Sequence, residues 1–133
     1  MRLWHQNLID KLPRQQLLGQ HRECCALRGK GWAKKHATVD YVFKYDASRL
    51  VAYHFKVMLE MKEREYKPAE EWFEESYRGK AVGYDSSFCT LSPEEHLSKK
   101  IIYPEHNKQY LKECLTNLFE KGVVCRYIEE VIK

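Results

Sequence analysis

Apolar positions return at helical spacing in three stretches of the chain. Over residues 13–28, placed at 100° per residue, Leu17, Leu18, His21, Cys24, Cys25 and Arg28 share one face. Gln16, Gln20, Glu23 and Leu27 project nearly opposite, with Gln15, Gly19 and Arg22 on the flank. Leu12-Pro13 sets the start of this helix, because proline disfavours α geometry for its predecessor and suits the first turn. Gly29 predicts its end as the C′ residue. A second helix is predicted over about 47–65, capped by Asp46 or Ser48, with Leu50, His54, Val57, Met58 and Met61 as its buried stripe. A third runs over about 106–121 on a ridge of Tyr110, Leu111, Cys114, Leu115, Leu118 and Phe119, closed by Gly122.

Between these stretches the pattern is weaker. Residues 3–9 are too short to classify. ATVDYVFKY at 37–45 reads equally as a short strand or as an extended or helical segment. Residues 67–91 lack a period. Ser92-Pro93-Glu94-Glu95 carries a cap, a proline at N1 and a capping-box glutamate, and Tyr103-Pro104 interrupts the chain ahead of the third helix. The tail VVCRYIEEVIK reads as a strand or a short last helix. The expected fold is mainly α: a single compact domain over 1–133, with about three long helices and extended connections.

Composition narrows the class. At 44% hydrophobic and 32% charged residues the chain reads as a soluble globular protein, and a cytoplasmic location is the default. No apolar run reaches the ~18 residues of a membrane span, and Trp4-His5-Gln6-Asn7 interrupts any signal-peptide core. The five cysteines are odd in number, two are adjacent, and no CxxC pair occurs, so reduced thiols are expected rather than a disulfide framework or a zinc ribbon. The net charge of +4 is unevenly spread. Residues 1–50 carry ten Lys/Arg against four Asp/Glu, a net of +6; residues 51–133 carry thirteen against fifteen, a net of −2. A basic half suits phosphate neutralisation. RGKGWAKKH at 28–36 gathers two glycines, four basic residues and Trp32, which suits a phosphate-contacting loop, although the P-loop spacing is absent.

Helical spacing brings His21 near Cys24 and Cys25, but a structural zinc site needs four ligands and no second pair has fitting spacing, so no metal and no cofactor are expected. An orienting third group for a Cys-His nucleophile pair is likewise missing.

MRLWHQNLIDKLPRQQLLGQHRECCALR resembles the start of the pyrimidine-dimer DNA glycosylase family of the endonuclease V type, through Met1-Arg2, Leu8, Leu12, Gln15, Leu17-Leu18 and Arg22-Glu23. It is similar above all to a bacterial branch whose members open with MRLWHQ. HATVDYVFKY, VMLEMKEREYK and IIYPEHNKQYLKECL resemble later stretches of the family in the same order. Two departures stand out. The family's processed N-terminal residue is threonine, whereas here Arg2 should block removal of Met1. The family's aromatic-basic tail is represented only by Arg126 and Tyr127.

The resemblance implies a mechanism. The α-amine of Met1 attacks C1′ of the damaged nucleotide, the base leaves, and the resulting imine permits β-elimination, with Glu23 assisting proton transfers and stabilising cationic character. An α-amine of pKa ~8 is roughly a tenth free base at pH 7, whereas a lysine at ~10.4 is below about a thousandth. Arg2 and Arg22 would hold phosphates beside the lesion, and Gln15 and His21 would line the site. Arg28, Lys30, Lys34 and Lys35 suit backbone contact. The partner implied is damaged double-stranded DNA with an extruded nucleotide, and no membrane. The alternatives are a non-catalytic nucleic-acid-binding domain of the same fold and a protein-interaction module built on the acidic Trp72-Phe73 region.

Overall fold

The computed structural model describes residues 2–29, 37–99 and 101–123. All three predicted long helices form: α1 (Arg14–Arg28), α3 (Ser48–Glu63) and α5 (Lys108–Glu120). Two short helices, α2 (Ala37–Val42) and α4 (Pro93–Leu97), and two 3-10 turns, Gln6–Lys11 and Glu70–Phe73, complete the order. Among the described residues there is no strand, only an isolated antiparallel bridge between Tyr77 and Tyr84. The ambiguous stretch at 37–45 therefore resolves as a short helix over its first part. The tail from 124 onward lies outside the described residues.

The middle of the molecule is α3. The predicted stripe of Leu50, His54, Val57, Met58 and Met61 is buried, and burial extends to Val51, Ala52, Tyr53 and Phe55. A helix covered on most of its sides has no solvated face to reserve for polar residues. It packs against α1, against α4 and against the first 3-10 turn. Each fully buried Leu, Val or Met side chain contributes about 1.5–3 kcal/mol relative to exposure.

Several local expectations are corrected. On α1 the buried residues are Leu17, Gln20, Cys24, Leu27 and Arg28, so the core face is rotated toward Gln20 and Leu27. Gln20 is polar and projects away from the expected stripe, yet its amide is consumed by backbone groups that cross that face. Gly29 does not adopt a left-handed turn; it follows α1 with φ −89°. Its value is space, since a Cβ there would lie 3.1 Å from the Arg78 carbonyl oxygen. Gly122 does take the left-handed conformation, with φ +75°, where α5 ends. Ser92 does not close a capping box; its hydroxyl donates to the Glu94 carboxylate at 2.7 Å. Asn107 caps α5 instead, accepting from the Tyr110 amide at 2.9 Å. Of the α5 ridge, Leu111, Cys114 and Leu118 are buried, whereas Phe119 is 78% exposed.

Candidate active site on the first helix

The first residues of the chain are held in place by side chains from three helices. From α1, Gln20 donates its amide to the Arg2 carbonyl at 3.0 Å and accepts from the Trp4 amide at 2.7 Å. The Tyr53 hydroxyl on α3 sits 2.5 Å from the Trp4 carbonyl and 2.8 Å from Gln20 Oε1, its single proton shared between two acceptors. From α5, the Tyr110 hydroxyl donates to the Leu3 carbonyl at 2.5 Å. Leu3 and Trp4 are themselves buried. The backbone of residues 2–4 thus has fixed partners on both sides, as a buried extended segment requires.

Glu23 stands three residues beyond Gln20, a spacing that makes them neighbours on one face of α1. Glu23 is half-buried, and no ion pair links it to any described cation. Arg22 and Gln15 are exposed on the same helix. Gly19 lies one turn before Arg22, and a Cβ at Gly19 would come 3.6 Å from Arg22 Nη2, so the guanidinium lies back along the helix over the bare glycine. Arg2 is half-buried, its guanidinium 5.6 Å from the Tyr110 ring centre and 5.8 Å from that of Trp4. Met1, Lys30, Lys34 and Lys35 lie outside the described residues.

Arg28 is the clear correction among the expected DNA contacts. It is fully buried, and its guanidinium donates to the carbonyls of Trp72 (2.7 Å), Glu74 (2.7 Å) and Tyr77 (2.8 Å). It also lies against the Trp72 ring. A guanidinium spent on three carbonyls cannot reach a backbone phosphate. Burial pulls its pKa down to about 10, so it remains charged at neutral pH. Arg78 reciprocates: its Nε donates to the Arg28 carbonyl at 2.7 Å, and its Nη1 pairs with Asp85 at 3.2 Å. The Tyr77–Lys80 turn spends its arginine on this strut.

Where α1 packs on α3 lies a cluster of His21 and Cys25 from α1 and His54 from α3. His21 Nδ1 is 2.8 Å from His54 Nε2, and the Cys25 sulfur is 3.9 Å from both atoms. Sequence spacing relates the first two donors, and the packing of α3 on α1 adds His54. The three ligand atoms lie close enough together to surround a metal ion. The fourth neighbour argues against one. Arg28 Nη1 lies 3.0 Å from His54 Nδ1 and can only donate. A metal on Nε2 would force the His54 proton onto Nδ1, facing that donor. Burial raises the Cys25 thiol to about 11, which also opposes thiolate ligation.

Four contributors to the site were not singled out from sequence: Gln20, Tyr53, Tyr110 and His54. Gln20 offered one signal, a polar residue one turn before Glu23 where the chain's start must cross. The other three come from helices far along the chain, which helix-by-helix periodicity cannot relate to α1.

Among the described residues no helix is long and apolar enough to cross a membrane. No curated protein and no solved structure matches the chain. A family model described as pyrimidine dimer DNA glycosylase matches residues 1–74, a span that takes in the anchored first residues, α1, α2, α3 and the Glu70–Phe73 turn. On that match, over more than half of the sequence, the chain belongs to the pyrimidine dimer DNA glycosylase family.

Proposed function

We propose that this protein is a DNA glycosylase with AP-lyase activity, acting on duplex DNA that carries a pyrimidine dimer or an abasic site. The α-amine of Met1 is the nucleophile. Its nitrogen bonds to C1′ as the glycosidic bond breaks and the base departs with the electron pair. Loss of a proton from nitrogen and opening of the sugar ring give the imine. Removal of a C2′ proton then expels the 3′ phosphate and cuts the strand. Glu23 moves these protons and offsets the positive charge on the sugar and the imine. Arg2 and Arg22 hold phosphates beside the lesion, Gln15 and His21 line the site, and Lys30, Lys34 and Lys35 contact the backbone.

The observation that supports this reading is the anchoring of residues 2–4 on Gln20, one helical turn from Glu23. A nucleophile at the chain end needs a rigid tether beside its acid/base group, because proximity and orientation supply a large share of rate enhancement. A half-buried carboxylate with no ion pair to any described cation is available for proton transfer.

Borohydride trapping on abasic duplex and on dimer-containing duplex tests the proposal. A covalent adduct should form with the authentic Met1 amine and vanish when that amine is acetylated. Glu23→Gln should reduce strand cutting by ~10²-fold or more, the usual scale for a general acid/base. Salt-sensitive binding with no adduct on either duplex would replace the enzyme by a non-catalytic DNA-binding domain.

A further inference from the structure

Arg28, His54 and His21 form a hydrogen-bonded line whose direction is determined by its first member. A guanidinium only donates, so its Nη1, 3.0 Å from His54 Nδ1, makes that nitrogen an acceptor. A neutral imidazole carries one proton, so the His54 proton sits on Nε2. Nε2 is 2.8 Å from His21 Nδ1, which must therefore accept. The His21 proton is left on Nε2. The Cys25 sulfur lies 3.8 Å from that nitrogen, too far to hold its proton firmly. Protonating His21 would set a second proton against the His54 N–H.

We propose that Arg28 and His54 are positioning residues that keep His21 neutral, with its proton on Nε2, as a hydrogen-bond donor to the DNA on the Arg22-Glu23 helix. This rests on the reading that α1 meets DNA. The line begins in the rigid part of the fold: Arg28 is fastened to three carbonyls, and His54 is fully buried against Trp72. It ends at a half-exposed ring one residue before Arg22. The groups facing His21 agree with a neutral ring. Arg22 and Arg28 on its own helix are cations, His54 on α3 presents an N–H, and the Cys25 thiol is kept protonated by burial. Glu23, its acidic neighbour on α1, has no hydrogen bond to the ring. Burial and the two arginines lower the His21 pKa, as the geometry requires. A cationic imidazole there would make phosphate binding rise in acid.

Long-range proton–nitrogen NMR on the free protein reads the tautomers directly, with His21→Gln to assign the signals. Both His21 and His54 should appear as neutral Nε2–H rings from pH 7.5 to 5.5. An Nδ1–H ring at either position, or a His21 titration near the ordinary 6.5, overturns the proposal. Stoichiometric zinc uptake that shifts both rings also overturns it, in favour of a metal site. His54→Phe removes the Nε2–H that faces His21 Nδ1, so His21 should titrate at a higher pH than in the wild type, and affinity for abasic duplex should rise at least threefold more between pH 7.5 and 5.5 than in the wild type. His54→Gln retains an Nε2 donor and should restore the wild-type pH profile. Equal pH profiles for the wild type and a folded His54→Phe variant overturn the proposal. Failure of every form to bind duplex would remove the DNA reading alone, because the tautomers are measured without DNA.

Discussion

Gln20 and Tyr53 meet over the backbone of Trp4: the Gln20 carboxamide oxygen lies 2.8 Å from the Tyr53 hydroxyl and 2.7 Å from the Trp4 amide. Two helices thereby close on one peptide unit near the start of the chain. Gln20→Leu would remove the bonds to Arg2 and Trp4 and leave a buried N–H without a partner. The expected loss is about 2–4 kcal/mol in urea unfolding. Borohydride trapping should fall by at least tenfold while duplex affinity falls less, since Arg22, the proposed phosphate contact, is untouched.

Gly19 offers the opposite outcome. It sits inside α1, where glycine costs about 1 kcal/mol relative to alanine. The nearest atom to an added Cβ is the end of the Arg22 side chain at 3.6 Å, an ordinary contact. Gly19→Ala should therefore raise stability by about 0.5–1 kcal/mol, measured as a higher urea midpoint with an unchanged slope.

Acid should weaken the fold from about pH 6.5 downward. Burial lowers His54 well below the usual imidazole range and takes His106 down to about 3. Between the unfolded value of ~6.5 and the lower folded values, only the unfolded chain binds these protons. Stability is thus fully present above about 6.5 and declines as pH falls, by at most about 1.4 kcal/mol per pH unit for each group. Urea unfolding at successive pH values from 7.5 to 4.5 should show this slope. His106→Phe should flatten it while costing stability at pH 7, because the Tyr41 hydroxyl, 3.0 Å from His106 Nε2, loses that hydrogen bond.

Thiol labelling should report unfolding rather than exposure of a reactive cysteine. Cys24, Cys25, Cys89 and Cys114 are free, and burial raises all four thiols, Cys25 to about 11 and Cys89 to about 12. At pH 8 little thiolate is present at these positions. Iodoacetamide followed by mass spectrometry should modify them slowly in the native protein and rapidly in urea.

Much of this arrangement was legible in the sequence, for identifiable reasons. Leu12-Pro13, the α3 stripe and Gly122 act through local geometry, which neighbouring residues determine. Gln20, Arg28 and Phe119 escaped because their environments are made by distant chain. Gln20 is buried only because residues 2–4 cross it, and Arg28 only because carbonyls from 72, 74 and 77 converge on it. Phe119 extends an apolar ridge, yet no described element covers it. The same limit applied to the site. The Arg22-Glu23 pair could be read in sequence, but the partnership of His21 with His54 required α3 to be docked.

The clasp between Arg28 and Arg78 bears on where this protein can be divided. The family match stops at residue 74, inside the loop that Arg28 grips. A chain cut there would lose the Tyr77 carbonyl, the return bond from Arg78 to the Arg28 carbonyl, and the Tyr110 bond to Leu3. It would retain every matched residue and yet leave a buried cation short of acceptors and the first residues loose on one side. The span by which the family is recognised is therefore smaller than the set of residues that hold Arg28 and the start of the chain in place.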